Sequence, residues 1–404
     1  MNPEVASVPA HVPPELVFDV DFAAMPGVMQ DPHGALARLL DYPPVFYAPR
    51  ARFGGPAWVL ARHALIEEAY QDAGLFSSRH NADFSSLIGE DWRLIPLEID
   101  PPLLAQYRAL LTPLLSPARM AALETGVRET CIGLIESFRG RGGCEFMRDF
   151  GLPFPVTIFL RLMGLPLDEA RQFNAWEEDI IHGTTLQARA DAARAIKDYL
   201  MRLIAERRRR PADDITSHVV HGRIGERAVT DEEALGVCYL LFVAGLDTVG
   251  GVQGYQFWHL ARDPALQARL AGNAEAIAAF VEESLRAYAI VFSGRELTRD
   301  AVFHGAPMKA GDKVVLPTPL AGRDPAAYAH PDRFDMDRPA LRHMAFGLGP
   351  HRCLGSHLAR RELRVAIDEW LRRIPRFRID PGDTVVPNPV STWGMSRLPL
   401  SWPA

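Results

Sequence analysis

One cysteine in this sequence stands in a setting that would make it a metal ligand. The segment from Ala345 to Arg361 reads AFGLGPHRCLGSHLARR, in which Phe346, Gly349, Cys353 and Gly355 spell F-x-x-G-x-x-x-C-x-G. A helical pattern, SHLARRELRVAIDEWL, follows at once. The Cys353 sulfur therefore lies just before a helix N-terminus, where the dipole and free N–H groups stabilise a thiolate, the form of cysteine that binds metal. Gly349 and Gly355 let the backbone approach the sulfur and bend around it, and Phe346 would pack beside it. Cys131, Cys144 and Cys238 sit in plain contexts and read as ordinary buried thiols.

Two further pairs have chemistry in them. The stretch AGLDTV, from Ala244 to Val249, places Asp247 and Thr248 inside an apolar helical run from Leu235 to Leu260. A buried acid and a buried alcohol must each find partners, so their presence there calls for a reason. Gly245, on the same turn, removes bulk beside them. In AAFVEESLRAY, Glu283 and Arg286 are three residues apart and share a helix face, where their side chains meet. Surface helices are full of such pairs, and this one is informative only through its place upstream of the Cys353 loop.

Helices must position these groups. Ala118 to Phe138 carries Met120, Leu123, Val127, Cys131, Leu134 and Ile135 on one stripe. Another helix starts near Leu165, with Pro166, Asp168 and Glu169 in its first turn. Ala192 to Arg210 ends in four arginines before Pro211, cations suited to a helix C-terminus. Short β-like segments lie at Ala57 to Leu60, at Ala301 to Leu316 with a turn at Ala310-Gly311-Asp312, and at Phe377 to Ile379. The expected class is mainly α with small peripheral β-sheets.

The 404 residues, 48% hydrophobic and 23% charged, are those of an ordinary globular chain large enough for one big domain or two close ones. Four cysteines are too few for a disulfide framework and fit a reducing compartment. A net charge of -6 argues against nucleic acid or an anionic membrane as the main partner. The N-terminal stretch MNPEVASVPAHVPPELVFDV has neither the basic nor the apolar region of a signal peptide. The longest apolar stretch, Tyr239 to Val252, is interrupted by Asp247.

The cysteine loop, the upstream Glu283–Arg286 pair and the acid–alcohol pair together resemble the cytochromes P450. Among them the chain is similar to the soluble, camphor-hydroxylating bacterial type over nearly its whole length, from HVPPELVFD to RLPLSW. The resemblance implies one domain over 1–404, with a β-rich N-terminal region, a helix-rich remainder and a haem loop at 345–355. It implies a triangular-prism fold holding haem b (iron protoporphyrin IX) between a distal and a proximal helix, with Cys353 as the iron ligand. Ala244 and Gly245 would make room for O2, while Asp247 and Thr248 would feed it protons. Glu283 and Arg286 would be a buried structural pair completed by a third, basic residue.

Arg108, Arg295 and His351 fall at the positions that hold the haem propionates. Ser293 departs from the pattern, standing where these relatives carry an acid. Substrate would lie among Trp92, Leu94, Leu97, Leu240, Val243, Ala244, Val291, Phe292 and Thr392. Trp92 replaces a tyrosine whose hydroxyl orients a ketone, and its N–H could serve instead. Leu97 replaces a threonine. An ionone-type norisoprenoid or a monoterpenoid is therefore expected rather than camphor. Asn174 and His182 stand where basic residues pair with the acid matching Asp247.

The implied activity is insertion of one atom of O2 into an unactivated C–H bond, with electrons from a [2Fe-2S] ferredoxin and its reductase. The ferredoxin would dock on a face carrying Arg108, Arg352, Arg360 and Arg361. A cytoplasmic, soluble monomer is expected, without nucleic-acid or membrane partners. The rival readings are a thiolate-haem peroxygenase or isomerase, and a non-catalytic haem protein that binds gas. Neither needs the acid–alcohol pair.

Overall fold

The computed structural model describes residues 8–52, 55–82, 84–183, 185–339, 341–390 and 392–403, so the first seven residues of the N-terminal stretch lie outside it. One sheet gathers strands from both ends of the chain: β1 (Val45–Arg52), β2 (Gly55–Leu60), β3 (Phe76–Ser77), β4 (Phe292–Leu297) and β5 (Lys313–Pro317). Their spatial order is β1-β2-β5-β4-β3, and only the β2–β5 pair is parallel, with Val59 opposite Val315. A parallel pair needs a crossover connection, and here the helical body of the protein supplies it.

Seven helices carry the site: α1 (Leu103–Leu111), α2 (Glu124–Phe138), α3 (Pro153–Met163), α4 (Leu186–Arg209), α5 (Asp231–Leu260), α6 (Ala274–Ala287) and α7 (Ser356–Arg373). The longest, α5, runs unbroken through Asp247 and Thr248. Its start lies before Leu235 because Thr230 and Glu233 form a reciprocal capping box, Glu233 N–H donating to Thr230 Oγ1 at 3.2 Å and Thr230 N–H to Glu233 Oε2 at 2.8 Å. By length and composition α5 could cross a bilayer, but most of it is buried inside the fold. Its residues join two hydrophobic cores: Phe242 and Leu246 belong to one, Val249 and Phe257 to the other.

Glycines bring other backbone up against α5. A Cβ at Gly236 would sit 2.2 Å from the Arg93 carbonyl oxygen, and one at Gly250 or Gly251 would sit 2.8 Å from the Gly151 or Trp393 carbonyl. At Gly254 the obstacle is Met395, 2.9 Å away. These contacts fix the helix against the loops around it.

Three expected elements differ. The 118–138 helix is broken at Leu123, whose N–H turns back to Met120 O at 3.3 Å and separates Pro117–Ala122 from α2. The segment around Phe377 makes a single bridge, Arg378 to Ser401, and no strand. Of the arginines ending α4, Arg208 donates to the carbonyls of Val220 (2.6 Å) and Val229 (2.7 Å), so it staples a distant loop as well as capping its own helix.

Candidate active site

The loop before α7 sets the cysteine. Gly349 has φ +65°, and a Cβ there would lie 2.3 Å from the Tyr70 carbonyl oxygen. Only glycine lets the loop rest on the helix His63–Gln71. Gly355 is less demanding, since its Cβ would be 3.8 Å from Cys353 Sγ, an ordinary contact. Gly349, expected to admit the sulfur, thus serves the neighbouring helix. Cys353 N–H donates to Phe346 O at 2.9 Å and closes the loop, while the Arg360 guanidinium covers the Phe346 ring at 4.5 Å. Burial pushes the Cys353 thiol up, opposed by the Gly355 N–H and the charges of Arg108, Arg360 and Arg352.

Cys353 is surrounded by protein yet open to a cavity of about 430 Å³. Ala244, Gly245 and Thr248 of α5 line it, as do Leu358, Ala359 and Glu362 of α7. The same cavity receives Arg108 from α1, Arg295 from β4 and His351 from the cysteine loop. Arg295 is 4% exposed, donates to Gly294 O at 2.6 Å, and lies over the Tyr70 ring. His351 stands 3.6 Å from Asp100, and its Nε2 is buried without a hydrogen-bond partner. Asp100 is held down at about 2: burial acts against this, but His351, Ser77 and the Ser78 N–H outweigh it. Ser293 is taken up by the Tyr70 hydroxyl at 2.8 Å.

The residues present fit a haem with a thiolate ligand. The sulfur faces an apolar cavity whose wall carries three basic side chains for two propionates, and one of them, His351, has a buried nitrogen that makes no hydrogen bond. Bound there, haem supplies oxygen activation, which thiolate ligation favours.

Above the cavity, Thr248 donates its hydroxyl proton to Ala244 O at 2.9 Å. Asp247 is 6% exposed, with Oδ1 3.4 Å from His182 Nε2 and Oδ2 unpartnered. Asn388 reaches His182 Nδ1 at 3.1 Å, so the C-terminal hairpin joins this cluster. Asn174 does not pair with Asp247, and its side-chain oxygen is buried without a partner.

Leu94, Leu97, Leu240 and Val243 line the same cavity, with Val291, Phe292 and Thr392. Trp92 is the correction. It is not part of the wall: its indole N–H donates to Glu90 at 2.7 Å, and its ring lies 4.7 Å from Tyr239. Glu90 is itself paired with Lys197 on α4, so Trp92 braces a loop and has no N–H to offer a ketone. The basic face is also smaller than expected. Arg360 is bound to Glu282 at 2.6 and 2.9 Å, Arg361 to Glu124, and Arg108 is half-buried in the cavity wall. Arg352 remains exposed.

Glu283 and Arg286 are both fully buried and bonded through two contacts of 2.7 and 2.8 Å. Arg338 completes the group, 3.4 Å from Glu283. Asp100, Tyr70 and Glu362 carry no local sign in the sequence. Glu98 went unnoticed too, though its carboxylate accepts from the N–H groups of Ala82 and Leu94, both at 2.9 Å, and so fixes the loop bearing Leu94 and Leu97.

Fold and site together define a haem-thiolate monooxygenase. The cytochrome P450 family model matches residues 169–401. A probable cytochrome P450 127A1 of Sinorhizobium fredii is 39% identical over 402 residues, which is 98% of this chain and 97% of that one. A pentalenic acid synthase of Streptomyces avermitilis is 30% identical, covering 86% of this chain and 89% of its own. The crystal structure of CYP101J2 matches with a TM-score of 0.89 at 33% identity, covering 98% of this chain and 100% of its own. That of CYP101C1 gives 0.88 at the same identity and coverage. The chain belongs to the cytochrome P450 family. Its members bind haem b through a cysteine thiolate and take electrons from partner proteins.

Proposed function

We propose that this monooxygenase hydroxylates an unactivated C–H bond of a small terpenoid, a monoterpenoid or an ionone-type norisoprenoid, with electrons from a [2Fe-2S] ferredoxin. In this reading Cys353 binds the iron, while Arg108, Arg295 and His351 bind the propionates. Asp247 would relay protons, and Thr248, its O–H held on Ala244 O, would offer its oxygen to their acceptor on the cavity side. The observation that carries it is the meeting of Cys353 and Thr248 on one cavity walled mainly by apolar side chains. Such a wall binds by shape and burial and excludes water.

The polar handle for the substrate is Thr392 in place of Trp92. Other hydroxyls in the wall are committed: Ser293 to Tyr70, Thr318 to Val291 O and Thr248 to Ala244 O. Thr392 makes no hydrogen bond among the described residues and lines the cavity. A neutral hydrogen bond contributes about 0.5–1.5 kcal/mol. Thr392→Val should therefore weaken a ketone-bearing ionone roughly 3- to 10-fold and leave a hydrocarbon terpene unchanged, read from the low-spin to high-spin titration of the ferric haem. Equal losses for both ligands would remove Thr392 from recognition. The absence of any spin shift across terpenoids would sink the substrate class. Steady product formation with ferredoxin, reductase and NAD(P)H separates this function from peroxygenase, isomerase or gas-binding roles.

A further inference from the structure

Asp247 has a second buried acid beside it. Glu177 ends the helix Ala170–Glu177 and is 2% exposed. Donor atoms of Glu177, His182 and Asp247 all lie within 4.8 Å of one another. One oxygen of each acid, Glu177 Oε1 and Asp247 Oδ2, is buried without a hydrogen-bond partner. Glu177 has no part in the proton delivery proposed above, which ends at Asp247.

The charges in this cluster decide its protonation. Asp247 comes from α5, Glu178 and His182 from the turn Glu178–His182, and Asn388 adds a neutral amide. Arg189 of α4 donates its Nε–H to Ile180 O at 3.1 Å. Two carboxylates this close in a buried site do not both ionise. With the Asn388 amide nitrogen on His182 Nδ1, the other ring nitrogen turns its proton on Asp247 Oδ1 and leaves Glu177 Oε1 without that donor. Burial, then the Asp247 charge, holds the Glu177 carboxyl well above the usual carboxylate range.

We infer that Glu177 stores a proton one carboxyl away from Asp247 and hands it to Asp247 for each delivery. This rests on the reading that Asp247 and Thr248 deliver protons. In the step, the O–H bond of Glu177 breaks and one forms on Asp247, while the negative charge passes from Asp247 to Glu177. The Glu177 carboxylate then takes a proton from solvent on the side of the partly buried His182. No electrons move. Glu177 touches neither substrate nor cofactor and acts through Asp247.

Infrared difference spectroscopy on the holoenzyme, with Glu177→Gln, Glu177→Asp and Asp247→Asn, tests it. The wild type should show a protonated-carboxyl band at neutral pH that Glu177→Gln lacks. Glu177→Gln should also lower product formed per NAD(P)H several-fold, raise the solvent deuterium isotope effect and flatten the pH dependence of coupling, with partial rescue by Glu177→Asp. If Asp247→Asn uncouples turnover while Glu177→Gln keeps the wild-type pH profile, the inference is overturned and delivery through Asp247 stands. If Asp247→Asn also couples normally, delivery through Asp247 fails with it. Should Glu177→Gln lose haem, Glu177→Asp decides instead, and a protonated-carboxyl band unchanged in that variant overturns the inference, because the buried Glu362 carboxyl, also pushed up by burial, would account for it. Zinc ion that uncouples the wild type but not Glu177→Gln, reversibly with a chelator, would make the cluster a cation site instead.

Discussion

Arg286 donates to both oxygens of Glu283 and to the carbonyls of Gly322, Pro331 and Arg333, so its planar fork is filled on every side. Breaking a buried pair leaves one charge uncompensated and costs about 3–5 kcal/mol. Arg286→Ala should lower the thermal midpoint and the haem-to-protein ratio. Arg286→Lys should fail nearly as badly, because a single ammonium cannot reproduce the fork. A Lys variant with the wild-type midpoint would contradict this account. The pair was legible from its spacing, whereas Arg338 was not, because it comes from an irregular segment with no periodic signal. Trp92 was misread for a related reason. Sequence gives the type of a side chain, but its direction depends on Glu90 and Tyr239, contacts that no spacing encodes.

Among the elements, the cysteine loop and α5 carry the clearest local signals, and both emerge, α5 beginning at Asp231, ahead of the expected Leu235. The loop's glycines were recognised, but the reason for Gly349 is the backbone of a helix far away in sequence. Gly349→Ala combines a positive φ with a blocked Cβ, so it should destabilise by roughly 1–3 kcal/mol and shift the thermal midpoint down. Gly355→Ala should cost less, since its Cβ meets only ordinary contact distance. Equal losses in the two variants, by thermal unfolding of the holoenzyme, would reject the argument. The early start of α5 was readable in Thr230 and Glu233, a capping signature hidden by the apolar run behind it.

For the molecule as a whole, acid should be the weak direction. His33 is buried among Tyr255, Tyr288 and Trp393, and its ring is held at about 3, chiefly by burial and then by Arg323, against the pull of the Ala289 carbonyl. His259 is depressed to about 4 by burial. Unfolded, both groups would bind protons near 6.5. Between that value and their folded values the unfolded chain holds more protons, so stability is complete above pH 6.5 and falls below it. Each group contributes a slope of roughly 1.4 kcal/mol per pH unit. His33→Asn should reduce that slope in denaturant titrations at successive pH values, and an unchanged slope would clear His33 of the effect.

Association with the electron donor is also a property of the whole surface. With Arg360 and Arg361 paired internally, Arg352→Glu should slow electron transfer several-fold at low salt and much less at high salt. A salt-independent rate would place docking elsewhere. The glycines at 236, 250, 251 and 254 bear on a different matter, how this chain could acquire new substrates. At 236, 250 and 251 any side chain would push α5 off the backbone that seats it, and at 254 it would press on the Met395 and Met147 side chains, so these positions admit little variation. Diversity for a selection experiment belongs on the facing wall, at Phe84, Leu97, Val291 and Thr392, where a changed side chain alters the shape of the cavity and leaves α5 in register.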